Sequence, residues 1–214
     1  MNSEHERPGV VAPPQRCLWS LPKRLASKLL RSVLKAWLHW RKGTHYVFVY
    51  VGSAVEIPVP EGFRVLRCQC MADIPKDCVE QMIGYHGDRF ARIMGKEFED
   101  RGVLWLALVN GQFASRQWTR SGAHFRKWFL PLRGDDLVFF GAYTIKAFRG
   151  RRINPALKRE IMARELHGDG KAYVDTQEWN TASMHALGKV GFKPIGVIRR
   201  GRAALSGEAP QERG

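Results

Sequence analysis

Apolar residues in this chain switch between two spacings, and the switches mark its elements. "GFRVLRCQ", from Gly62, alternates in the manner of a strand. "IPKDCVEQMIGY" and "GDRFARIMGKEFEDR" shift to helical spacing, the second with Phe90, Ile93, Met94 and Phe98 on one side and Asp88 placed to cap it. "VLWLALVNGQFASRQWTRSG" predicts a hairpin turning at Asn110-Gly111. "DDLVFFGAYTIKAF" predicts a long apolar strand, and "INPALKREIMAREL" a helix with Asn154 at its cap and Pro155 in its first turn. The strand "KAYVDTQ", the helix "NTASMHALGKV" and the strand "GFKPIGVI" follow.

Upstream, "HYVFVYVG" and "VEIPVP" predict two short strands, or one broken strand ended by Pro58 and Pro60. Residues 18–42 form a basic amphipathic helix in projection. Arg24, Lys28, Arg31 and Lys35 share one stripe, with Leu25, Leu29, Leu30, Val33, Trp37 and Trp40 opposite. Its charges exclude a membrane span, and two roles stay open: an interfacial membrane helix, or a helix packed on the domain with its charged face solvated. Residues 1–17 are polar and proline-bearing, which predicts a disordered lead-in without the apolar core of a signal peptide.

Strand, two helices, antiparallel hairpin, strand feeding a helix, then strand, helix, strand predicts an α/β (α+β) fold: a mixed central sheet flanked by helices. Residues 43–200 make this domain and residues 201–214 a polar C-terminal tail.

Charge alters the picture more than overall composition does. Across 214 residues, 35 Lys+Arg against 20 Asp+Glu leave a net charge of +15, which favours anionic partners. Four cysteines (Cys17, Cys68, Cys70, Cys78) are too few and too unevenly spaced for a disulfide framework. Cys68 and Cys70 fall on one face of a strand-like run, but no second cluster follows at zinc spacing, so no metal is expected. The basic charge gathers in "RGRRIN", between the long apolar strand and the helix after it.

The order of elements, that basic turn, and "NTAS" followed by "KVGF" resemble the GNAT superfamily of acyl-CoA-dependent N-acyltransferases over about residues 62–198. The resemblance implies acetyl-CoA or another acyl-CoA as co-substrate. Its pyrophosphate would rest where a helix N-terminus offers free N–H groups. Family members use Arg/Gln-x-x-Gly-x-Gly/Ala at this turn. Here Arg149 fits the first position, while Arg152 and Asn154 occupy the two small ones. Two readings of this departure stay open: the side chains of Arg151 and Arg152 add to backbone donation, or the phosphate grip is degraded.

By the same resemblance, Tyr143, Thr144 and Ile145 run beside the pantetheine arm, and Arg149, Gly150, Arg151, Arg152, Ile153 and Asn154 surround the pyrophosphate. Asn180 touches the arm and Ser183 assists, Asn180 being an ordinary N-cap residue as well. The family's frequent tyrosine acid falls here on Leu187, so the acid is sought elsewhere, at Tyr143 or at His185. Asp175 and Glu178, at a strand end facing the cleft, are the base candidates. His86 and Arg89 would line the acceptor pocket, with "SGAHFRKWFLPLRGDD" as one wall.

The expected activity is direct attack of an acceptor amine on the thioester. By analogy the acceptor is an amino sugar or an envelope-polysaccharide intermediate of bacteria. Two alternatives accompany it. One is an N-acyl synthase of the acyl-homoserine lactone or acyl amino acid type, taking its donor from acyl carrier protein, an acidic partner. The other is a non-catalytic GNAT-like module binding an anionic membrane or nucleic acid, although no nucleic-acid motif is present. The expected location is the cytoplasm, peripheral at the inner membrane surface through residues 18–42. After Ile198 the chain turns polar where the family usually provides a last strand. Either the sheet ends early, or "HYVFVYVG" fills the space.

Overall fold

In the computed structural model, residues 43–52, 56–125 and 128–199 are described. The predicted basic helix, the lead-in and the polar tail lie outside them.

Among the described residues seven strands form one sheet: β1 Thr44–Tyr50, β2 Phe63–Cys68, β3 Val103–Val109, β4 Gln112–Ser121, β5 Leu137–Thr144, β6 Ala172–Gln177 and β7 Phe192–Arg199. Among the described residues the sheet is joined by helices α1 Lys76–His86, α2 Arg89–Glu99, α3 Ile153–Glu165 and α4 Thr181–Val190, together with short 3₁₀ turns. The strand order is β2-β3-β4-β5-β6-β1-β7. Every neighbouring pair is antiparallel except β5 with β6.

Both faces of the middle strands are covered, which explains the unbroken apolar run of β3. Trp105, Ala107 and Val109 face a core built with Ile153, Leu157 and Ile161 of α3 and Leu187 and Val190 of α4. Leu104, Leu106 and Leu108 face the other way, onto Cys78 and Met82 of α1 and Phe90 and Met94 of α2. The hairpin turns at Asn110 and Gly111, whose φ values of 50° and 79° are the left-handed pair that a two-residue turn of this hand requires.

The N-terminal strand settles the question posed by the polar C-terminus. β1 lies between β6 and β7 and pairs with both, so it fills the space while β7 becomes the sheet edge.

Five expectations need correction. Glu56–Pro60 form no strand, because alternating prolines withhold the N–H groups a ladder needs; Ile57 alone turns inward. Asp88 stands at the N-cap of α2 but makes no side-chain cap bond, and Ile93 is 43% exposed, off the packed face. Cys68 and Cys70 do not share a face: β2 ends at Cys68, which is buried, and Cys70 is exposed in the turn beyond. Burial pushes the Cys68 thiol up to about 12 and that of Cys78 to about 11. Finally, α3 starts at Ile153, so Asn154 lies inside its first turn and the cap residue is Arg152.

Candidate active site

β5 and β6 run parallel and pair only from Leu137↔Ala172 to Phe139↔Val174, after which both strands continue apart. The opening is shaped by a bulge. Arg116 pairs with Tyr143 and Trp118 with Phe140, so Gly141 and Ala142 together oppose Gln117. Gly141 has φ +59°, and a Cβ there would come 3.0 Å from Trp118 Cδ1, so the bulge needs glycine on both counts. Both bulge residues are exposed.

β4 holds the bulge from behind through side chains. Arg116 Nη1 donates to the Gly141 carbonyl at 2.6 Å, Gln117 Nε2 to the Phe140 carbonyl at 2.7 Å, and Ser115 Oγ to the Tyr143 carbonyl at 2.8 Å. Ser115 Oγ also meets Thr144 Oγ1 at 2.9 Å. The Ile145 N–H is taken by the Ala114 carbonyl at 3.0 Å and Ile145 is buried, so this residue offers a ligand no free backbone donor.

The strand leads into the basic turn. Arg149 Nε donates to the Thr144 carbonyl at 3.1 Å, which fixes the turn against the end of β5. Gly150 has φ +78° and Arg152 φ +58°, a left-handed conformation that few side chains other than glycine adopt without strain. Arg151 lies over Phe148 with Cζ 5.7 Å from the ring centroid. α3 has no side-chain cap, so its first N–H groups remain open toward this turn, and the exposed Arg151 and Arg152 surround them. Asn154 Oδ1 accepts from Lys158 Nζ at 2.6 Å.

On the α1/α2 face of β5, residues assigned separately from the sequence meet. The ring of His86, at the end of α1, sits 4.5 Å from that of Tyr143, edge-on, and 4.6 Å from Phe90. Arg116 Cζ lies 4.5 Å above Phe90 and 5.8 Å from Tyr143. Arg89 is exposed at the start of α2 and makes no contact in this cluster. Burial holds the His86 imidazole below its ordinary value, and the charge of Arg116 adds to this. The folded state therefore favours neutral His86, while the unfolded chain takes a proton more readily as pH falls through the ordinary histidine range, about 6.5. Stability contributed by this group should be present above that range and be lost on acidification. Urea midpoints at pH 7.5 and 5.5 should show a smaller acid loss in His86→Gln than in the wild type.

Across the opening, Asp175 follows the last β5-paired residue of β6, and its Oδ2 is 2.8 Å from Nδ1 of His45 on β1. The carboxylate thus orients an imidazole, a partner only the sheet order reveals. Phe129 lies 5.9 Å from His45 and Trp128 5.4 Å from Tyr173, while Phe125 packs on Phe140 at 5.8 Å. The segment that carries Phe125, Trp128 and Phe129 therefore borders the same face. Asp136 ties it down, accepting from the N–H groups of Arg133 and Lys171 at 2.8 and 2.9 Å.

Glu178 donates its N–H to the Thr44 carbonyl at 3.1 Å, next to His45, but its side chain takes no part in these contacts. Glu178 and His185 are exposed. Asn180 caps α4, its Oδ1 accepting from Ser183 N at 3.2 Å, and both residues are half-buried. Leu187 is fully in the core. Sequence reasoning missed His45, Ser115, Arg116, Gln117 and Lys158. The available signal was a polar run, "SRQ", inside an apolar hairpin, and a lysine next to Leu157 on the apolar side of α3. Among the described residues no group of His, Cys, Asp and Glu could hold a metal, and no helix is long and apolar enough to cross a membrane. Two cavities of about 500 and 600 Å³ lie away from the opening. One is at the opposite end of the sheet around Val103, Thr119 and Leu137; the other lies along α3 beside Phe63 and Val65.

No family model and no curated protein matches the sequence. Solved structures do match the fold. An acetyltransferase from the GNAT family of Colwellia psychrerythraea superposes with a TM-score of 0.52 at 11% identity, over 72% of this chain and 53% of its own. A putative GNAT-family acetyltransferase from Novosphingobium aromaticivorans gives 0.49 at 14% identity, over 72% of this chain and 61% of its own. The chain thus spans between 53% and 61% of the length of these two proteins.

Proposed function

We propose that this chain, whose fold is GNAT-like, is an N-acyltransferase that moves an acetyl or other acyl group from acyl-CoA to an acceptor amine. The observation that carries the proposal is the parting of β5 from β6 after Phe139 and Val174, with the uncapped, arginine-ringed start of α3 at the same end of β5. The pantetheine arm lies along the open flank of β5, beside Gly141 and Ala142. The pyrophosphate rests on the free N–H groups of α3 within reach of Arg149, Arg151 and Arg152.

In the reaction the amine nitrogen attacks the thioester carbonyl directly, the C–S bond breaks, the thiolate leaves and the nitrogen loses a proton. Imidazoles flank the opening on both sides: His86 beside Tyr143, and His45 oriented by Asp175. Either ring, when neutral, takes the amine proton, and the Tyr143 hydroxyl supplies one to the leaving thiolate. The acceptor we propose is an amino sugar or an amine-bearing envelope-polysaccharide intermediate, approaching the face bordered by Tyr85, Tyr143, Trp128 and Phe129. Such an acceptor would bring the protein to the inner membrane surface from the cytoplasm, with residues 18–42 as the contact.

Calorimetric titration with acetyl-CoA at moderate salt tests this. The wild type should bind in the micromolar range, and Arg149→Glu and Arg152→Glu should each weaken binding on the order of tenfold, about one charge-assisted contact. Lys171→Glu, at the far end of β6, should change it far less. Equal losses in all three variants would mean general electrostatic attraction without a phosphate site. Absence of binding in the wild type would leave two readings, a donor carried on acyl carrier protein or a non-catalytic role.

A further inference from the structure

α3 buries a lysine against the sheet. Lys158 is 4% exposed, and its Nζ donates to Asn154 Oδ1 and to Gln117 Oε1, each at 2.6 Å. Gln117 is 1% exposed and passes the contact on, its Nε2 donating to the Phe140 carbonyl at 2.7 Å and the Trp118 carbonyl at 3.0 Å. One unbroken chain of hydrogen bonds thus joins the first turn of α3 to the β5 bulge. Asn154 Nδ2 is buried with no partner in this structure.

The cation at the middle of the chain has no counterion: no ion pair involves Lys158 among the described residues. The polar groups facing it are Asn154 from its own helix and Gln117 from β4. β3, β5 and α4 turn Trp105, Phe139 and Leu187 into the same core. Burial alone acts on its titration and pulls the ammonium down to about 7, with no charged neighbour contributing. The guanidinium of Arg116 lies on the other sheet face, against Phe90. A methionine would fill this space without the desolvation penalty of a buried, unpaired ammonium, so packing does not account for a lysine here.

This inference rests on the reading of the basic turn as a pyrophosphate site. We propose that Lys158 is a positioning residue for the acyl donor. Its ammonium is the buried positive charge that the donor's pyrophosphate pairs with from the other side of the first turn of α3, and its bond to Gln117 ties donor binding to the bulge. An arriving polyanion supplies the missing counterion and favours the charged form of the lysine. Donor binding is therefore linked to uptake of a proton at Nζ.

The test is calorimetric titration with acetyl-CoA at pH 8, where phosphates and histidines are already deprotonated, in two buffers of different ionisation enthalpy. The wild type should take up most of one proton, and its affinity should fall tenfold or more between pH 6.5 and pH 9. Lys158→Met should abolish the uptake and, at pH 6.5, bind on the order of tenfold more weakly. A lysine that only fills space would give no uptake. Binding by the wild type without uptake and without pH dependence overturns the inference and leaves the proposed function standing, and so does undiminished uptake in Lys158→Met. If Lys158→Met does not fold, the uptake and pH profile of the wild type decide alone. A wild type that binds no acetyl-CoA at either end of this range removes the donor reading and the role of Lys158 with it.

Discussion

Val47→Pro is expected to destabilise the domain severely. Val47 is fully buried and lies opposite Asp175 on β6 and Gly196 on β7, so its strand has a hydrogen-bonded neighbour on each side. A proline removes one ladder bond and imposes its own backbone angle in mid-sheet, which costs about 3 kcal/mol or more. Among the described residues β1 is the one strand paired with β7, so the loss spreads to that strand and to the packing of Phe192. Against a typical domain stability of about 5–15 kcal/mol, this is a large share. The control is Val59→Pro, at a 63% exposed position outside any strand, where the change should stay within about 0.5 kcal/mol. Urea midpoints followed by tryptophan fluorescence separate the two. An unshifted midpoint in Val47→Pro would mean that β1 is not an interior strand.

Trp105→Ala should come close to the same loss by another route. Trp105 is fully buried on β3 in the core under α3, and its Nε1 donates to Thr119 Oγ1 at 2.9 Å. Truncation removes about 3–5 kcal/mol through lost burial and a residual cavity, and strands the hydroxyl of a residue that is itself 1% exposed. Arg67, whose Cζ is 5.7 Å from the indole, loses its aromatic surface as well. Trp105→Phe keeps most of the apolar volume and should lose less than half as much. Thermal or urea unfolding gives the stability order, wild type above Phe above Ala. Because Ile153 and Leu157 of α3 share this core, Trp105→Ala should also weaken acetyl-CoA binding at a temperature where it remains folded. Unchanged affinity would show the basic turn to be held by β5 alone.

The site was legible in unequal parts. The turn from Arg149 to Asn154 stood out because arginines crowd the start of a helix, a pattern contained within six residues. His86 and Tyr143 each stand out in the sequence, yet their contact at 4.5 Å depends on α1 folding back over β5, with Tyr143 fifty-seven residues after His86. Asp175 looked like a free carboxylate at a strand end. Its partner His45 is 130 residues away and reaches it because β1 lies beside β6. Asn154 looked like a cap because Asn before Pro usually is one. The helix begins two residues earlier than that cap would place it, at Ile153, and the Asn154 side chain turns to Lys158 instead.

What the sequence determined by itself was local: the strands and helices between Gly62 and Ile198, the turn at Asn110-Gly111, and a basic helix start. Such features follow from side-chain periodicity and backbone preferences over a few residues. The tertiary structure alone decided that the first strand sits between β6 and β7, that β5 and β6 part after three paired positions, and that Lys158 is buried against Gln117. Those outcomes rest on strand order, register and burial. They are set by contacts between segments far apart in the chain, and the apolar pattern of β1 is compatible with more than one neighbour until the whole sheet closes around it.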